Sequence, residues 1–299
     1  MVNPAITRGW LRALTYMLSL VLIIVVFGMM AFFAIMSFTG KAAPEVAALF
    51  GENIFLLVIY QAIILAGVTA LTLVFRKFID RKEFVSLGFQ KFRVSKDLGL
   101  GLVSAFILIA LGFIILYLSG NLIIESIRPD YSHLGGSLIL CLMISWAEEL
   151  SFRAYLLNNL MDSFHPYWGL VLSSLLFAAF HIFNAGMALV PFINIFLAGI
   201  LLGIVFIYTR TIWYALSFHF SWNFFQGPVF GFPVSGMEMD GFLRHETRGE
   251  ELLTGGDFGF EGSLICSLLI ILCIFALNHY YNKPSNKPLD NSRDKITLV

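Results

Sequence analysis

The chain is a succession of apolar runs separated by short polar stretches. Eight runs read as membrane crossings, at 13–38, 53–75, 98–118, 136–160, 167–184, 190–208, 212–226 and 263–281. A helix needs about 20 apolar residues to cross a bilayer. The pattern therefore predicts an all-α fold, a polytopic transmembrane helical bundle of about eight spans. The fourth and seventh runs are interrupted by polar residues, and the seventh is short. The first run is expected to be a retained span rather than a signal peptide: its apolar core is about twice the usual 7–15 residues, and no clean small-residue cleavage site follows.

Residues 1–281 are expected to form one integral membrane domain with its catalytic core at about 136–226. The polar tail 282–299, with two prolines, is expected to be disordered. No internal repeat with a shared motif is visible.

Composition agrees with a membrane protein. Hydrophobic residues make up 59% and charged residues 13%, about half the charge of a soluble domain. A soluble globule of this size lacks the interior to hide so much apolar sequence. Lys+Arg and Asp+Glu are 19 each, which excludes a basic nucleic-acid binder and an acidic disordered chain. Cys141, Cys266 and Cys273 lie in apolar runs without CxxC spacing, so neither a disulfide framework nor a thiolate metal site is implied.

Short-loop Lys and Arg residues mark the cytoplasmic side. They gather in the N-terminal segment (Arg8, Arg12), in the loop 76–96, at Arg210 and in the tail. With eight spans these fall on one side, so both termini are expected to be cytoplasmic. Lys41, Arg128, Arg244 and Arg248 fall on the other side, with the Gly-rich, acidic loop 227–262 that includes Glu238, Asp240, Glu246, Glu250, Glu251, Asp257 and Glu261. In 84–96 aromatic and basic residues alternate, as in an interfacial segment or an ordinary solvated loop.

Candidate chemistry comes from ionisable residues inside spans, where each is costly and by default functional. In the fourth span Glu149 and Arg153 are i,i+4 and can pair. Glu148 is turned about 100° away, without a local partner and free for chemistry. In the fifth span Phe177 and His181 share a face, and in the seventh His219 and Asn223 do. Each signal has a plain structural reading: an ion pair, a packed histidine, an interhelical hydrogen bond. Together they supply a recognisable set. A carboxylate with a His can activate water, while a second His and an Asn can stabilise an oxyanion. Alternatively, Glu148, His181 and His219 are the ligand types of a catalytic zinc. Both routes end in hydrolysis of an acyl bond, and the absence of HExxH argues against an ordinary zincin.

These motifs resemble the CPBP intramembrane proteases, the family of CAAX prenyl proteases and bacteriocin-processing enzymes. Its signature, EExxxR, FxxxH and HxxxN/D on separate membrane helices, is met here by Glu148-Glu149…Arg153, Phe177…His181 and His219…Asn223. The resemblance covers about 136–226 and implies an all-helical membrane endopeptidase. It implies that Glu148 with His181 activates the attacking water and that His219 and Asn223 form the oxyanion site. Glu149 and Arg153 would be a supporting pair, with Phe177 as an orienting residue. No cofactor is expected, because neither a fourth protein ligand nor a His–carboxylate pair is evident. A divalent metal such as zinc on Glu148, His181 and His219 is the alternative. The expected partners are the lipid bilayer and a peptide or membrane-protein substrate, with prenylation doubtful because the short loops and topology look prokaryotic. No nucleic acid is expected, and nothing in the sequence sets an oligomeric state. The competing readings are a non-proteolytic scaffold or immunity protein of the same fold, and a transporter or proton relay. Pro191 and Gly199 are isolated breaks and do not support the latter.

Overall fold

The computed structural model describes residues 3–91 and 93–283. All eight apolar runs become helices. They are α1 (Gly9–Thr39), α3 (Ile54–Val74), α4 (Val94–Leu118), α5 (Tyr131–Glu149), α6 (Pro166–Phe180), α7 (Leu189–Thr209), α8 (Trp213–Phe224) and α9 (Leu264–Asn282), with a short α2 (Ala43–Glu52) after α1. Three of these helices run on through wide π turns: α3 through Phe75–Ile79, α5 through Leu150–Leu157, and α8 through Phe225–Val229.

Among the described residues, six helices are long and apolar enough to cross a membrane: Gly9–Thr39, Ile54–Ile79, Val94–Leu118, Tyr131–Leu160, Leu189–Thr209 and Leu264–Asn282. The other two of the eight expected runs are shorter helices: α6 has 15 residues, and α8 has 12 with five more in its π turn. The histidine of FxxxH ends α6 and that of HxxxN sits in α8. The backbone after α6 leaves the helix beside a cavity, where non-helical chain is tolerated at membrane depth.

The outer faces of the bundle are apolar. Leu18, Leu22, Met30 and Phe33 of α1 and Leu268 and Phe275 of α9 are all exposed, as expected of surfaces that meet lipid rather than water. The chain is thus built as an integral membrane protein. Inside, α4 packs along α8, α6 and α9 along α7, and α3 against both α1 and α5. Small residues permit the closest approaches, since apolar lipid gives helices no hydrophobic reason to associate. A side chain at Gly101 would collide with Ser217 and Tyr214 of α8, and one at Gly199 with Ser174 of α6.

Polar clusters replace apolar packing at two levels of α5. One is the candidate site described below. The other is a buried ion network. Asp80 accepts from Arg76 Nη1 (2.8 Å) and from the Tyr155 hydroxyl (2.9 Å), and lies 3.3 Å from Arg12 Nε. Arg12 also donates to Asn159 Oδ1 (2.7 Å) and Asp162 Oδ2 (2.6 Å). This network ties the start of α1 and the end of α3 to α5.

Two polar segments also take definite places. In 84–91, Phe89 stacks on Phe84 and packs against Trp146 and Trp213, whose Nε1 donates to the Gln90 carbonyl (2.8 Å). This part of the 84–96 segment is therefore packed on the bundle rather than solvated. The loop 227–262 contributes β2 (Leu243–Thr247), which pairs antiparallel with β1 (Leu122–Ile127), setting Ile124 opposite His245. The rest of the loop folds back into the bundle. The expected disordered tail lies, from residue 284 onward, outside the described residues.

Candidate active site

The site is assembled from α5, α6 and α8, each contributing one of the motifs. Glu148 and Glu149 are adjacent on α5, so their side chains diverge by about 100°. Glu149 is fully buried, and Glu148 faces a cavity with 28% of its side chain exposed. The wide turn Leu150–Leu157 starts immediately after this pair. Such π segments are frequent at functional sites because they re-aim side chains within a helix.

Arg153 Nη1 donates to Glu149 Oε1 at 2.7 Å, as the i,i+4 spacing requires. Its Nη2 reaches the Gly199 carbonyl of α7 (3.4 Å), and its guanidinium lies 4.3 Å above the Phe177 ring centroid. Phe177 therefore packs between the guanidinium and the two histidines, with ring centroids 4.8 Å from His181 and 6.2 Å from His219.

The sequence reading did not foresee the next contact. His219 Nδ1 lies 2.8 Å from Glu149 Oε1, the oxygen that also receives Arg153. A carboxylate oxygen accepts, so Nδ1 is the protonated nitrogen and Nε2 is left as the lone-pair face. His181 behaves alike: its Nδ1 donates to the Phe177 carbonyl at 2.8 Å. Both Nε2 atoms are thereby turned toward Glu148 Oε2, at 3.8 Å from His219 and 4.0 Å from His181. That Oε2 is buried and has no hydrogen-bond partner. Glu149 Oε2 is likewise buried without a partner, so what sets Glu148 Oε2 apart is its place on the cavity between the two imidazoles. Two sequence readings are corrected here. A His–carboxylate pair does exist, and Glu149 supports His219 as well as Arg153. Residues 70 apart in sequence reveal such a pair only through the fold.

The cavity has a volume of about 450 Å³. Glu148, His181, His219 and Asn223 line it together with apolar residues such as Ile195 and Phe218. All the candidate residues are thus brought together, Glu149 and Arg153 behind the wall and Glu148, Phe177, His181, His219 and Asn223 on it. Sequence reasoning missed Glu261, which also lines the cavity. It is 6% exposed. No spacing distinguishes it from the other acidic residues of its loop; its one signal is a position directly before the last apolar run.

A tetrahedral zinc at about 2.0–2.1 Å sets its ligands about 3.3 Å apart. The separations of 3.8 and 4.0 Å from Glu148 are wider. Among the described residues, no three His, Cys, Asp or Glu side chains form a metal-holding group. His181 Nε2, His219 Nε2 and Glu148 Oε2 are donors of the types zinc takes, standing wider apart than bound ligands.

Residues 131–225 match the family model described as type II CAAX prenyl endopeptidase Rce1-like. The match bears out the resemblance to the CPBP family drawn from the three motifs. It contains every candidate residue named from the sequence and ends before Glu261. No curated protein and no solved structure matches the chain.

Proposed function

We propose that this protein, whose residues 131–225 resemble type II CAAX prenyl endopeptidases, hydrolyses peptide bonds of membrane-associated peptides or proteins inside the bilayer. The observation that carries the reading is the unpartnered Glu148 Oε2 facing two imidazole lone pairs across a cavity large enough for a peptide segment. Water placed among these three groups has acceptors on several sides. Its oxygen attacks the scissile carbonyl carbon while Glu148 takes one proton, a general-base step. The amide of Asn223 donates to the carbonyl oxygen as it becomes an oxyanion; His219, with a lone pair on Nε2, accepts from the water rather than donating to that oxygen. Glu148 then returns the proton to the leaving nitrogen as the C–N bond breaks. The second water proton stays on the new carboxylic acid and is released to solvent. Glu149 fixes the tautomer of His219, and the Phe177 carbonyl fixes that of His181. The leading reading needs no cofactor.

The test is hydrolysis of a library of membrane peptides by the purified protein, wild type against Glu148→Gln, each with and without a chelator. Loss of a general base costs about 10²- to 10⁴-fold. We expect that loss in Glu148→Gln with unchanged thermal stability, and no effect of chelator on the wild type. Equal cleavage by both proteins would remove Glu148 from the mechanism. Loss on chelation, reversed by zinc, would replace the metal-free route. Cleavage by neither would favour a non-proteolytic scaffold.

A further inference from the structure

Glu261 is a buried carboxylate that the hydrolytic scheme does not use. Its Oε1 accepts from Trp222 Nε1 of α8 at 2.9 Å. Its Oε2 accepts from the Ser235 backbone N–H (2.7 Å) and hydroxyl (2.8 Å). Both oxygens are satisfied by neutral donors, so Glu261 is a clamp rather than a base. One arm grips α8 beside Asn223, and the other grips the tip of the loop 227–262.

That tip is a tight turn closed by the pairing of Val234 with Met237. Ser235 and Gly236 at its apex both have positive φ, and a side chain on Gly236 would collide with the Ala185 carbonyl. A second tether runs from Asn184 Nδ2 to the Ser235 carbonyl (2.8 Å). The tip is therefore pressed against the turn that follows His181, and Val234, Ser235, Gly236 and Met237 form a wall of the catalytic cavity. Val234 is 7% exposed.

We propose that the Val234–Met237 turn, held down by Glu261, is the substrate-selecting wall of this cavity, contributed by a loop that lies outside the matched catalytic core. Val234 and Met237 are the side chains that meet a substrate residue seated near Glu148, and Glu261 is a positioning residue that acts through Ser235. The selecting role rests on the proposed peptidase activity; the clamping role does not.

The test separates the two. Clamping is read by labelling Val234→Cys with a membrane-impermeant maleimide in the intact protein, the unsubstituted chain serving as the background for its three native cysteines. Adding Glu261→Gln, or the milder Ser235→Ala, is expected to raise the labelling rate about tenfold or more, the scale of losing hydrogen bonds to a buried charge. Equal rates in all three would overturn the clamp. Selection is read by hydrolysis of peptides with graded side chains near the scissile bond. Met237→Ala is expected to move KM in favour of bulkier residues by about tenfold, the scale of a few methylenes in an apolar pocket, with kcat unchanged. An unaltered order of preference in a hydrolysing enzyme would overturn the selecting wall. Faster labelling with no hydrolysis by any variant would overturn the selecting role with the peptidase reading and keep the clamp.

Discussion

Arg153 shows how one side chain supports a site it never touches. Its fork donates to Glu149 and to the Gly199 carbonyl while its flat face covers Phe177. Lysine carries the charge but cannot supply a planar fork and a stacking face together. Arg153→Ala leaves Glu149 buried with His219 alone, and breaking a buried pair in this way costs about 3–5 kcal/mol. We expect a clearly lower melting temperature and yield in detergent, a drop in hydrolysis as His219 loses its fixed ring, and partial recovery with Arg153→Lys. A wild-type melting temperature in Arg153→Ala would contradict the assignment. At this scale the sequence was a good guide where partners share a helix. Glu149 with Arg153 follows from i,i+4 spacing alone. The same spacing that linked His219 with Asn223 could not show that His219 turns to Glu149, because that contact joins α8 to α5. Glu261 was illegible for the same reason: its partners Trp222 and Ser235 come from other segments.

Elements follow the hydrophobic pattern closely where lipid contact dictates composition and poorly where protein contact does. The apolar runs gave α1, α3, α4, α5, α7 and α9 to within a few residues at most ends. The ribbon of β1 and β2 left no such trace, since its strands lie more than a hundred residues apart and each is short. Its register brings His245 onto Phe232 (4.5 Å between ring centroids) and near Phe113 (6.1 Å). Desolvation among these rings pushes the imidazole down to about 4, from an ordinary value near 6.5. A folded-state value below the unfolded one means that the unfolded ribbon binds the proton more readily. The contribution of His245 is therefore complete above about pH 6.5 and is lost as the pH falls from there through about 4. The protection factors of the β2 amides, corrected for the intrinsic pH dependence of exchange, should fall over that window. His245→Phe should abolish the pH dependence there, and an unchanged acid profile in that variant would rule out His245 as its source.

The whole molecule is held by two buried polar centres on one helix. On α5, Glu149 and Arg153 organise the catalytic cavity, while Tyr155 and Asn159 join the Asp80 network that receives α1 and α3. The first three apolar runs carry no signature residue, yet this network couples two of them to the catalytic helix through Arg12 and Arg76. We expect that coupling to hold α5 at a fixed rotation, and so to keep Glu148 facing the two histidines. Asp80→Ala would leave two guanidinium groups buried at 2% and 3% exposure without their shared carboxylate. Removing one partner of a buried ion pair costs about 3–5 kcal/mol, enough to endanger a marginally stable fold. We expect Asp80→Ala to lower melting temperature and hydrolysis together, although Asp80 does not line the cavity. Glu148→Gln should do the opposite, abolishing hydrolysis while the melting temperature holds. Measured side by side, the two variants divide the molecule into the part that reacts and the part that aims it. A stable, active Asp80→Ala protein would show that α5 keeps its rotation without the network and would return α1 and α3 to a packing role.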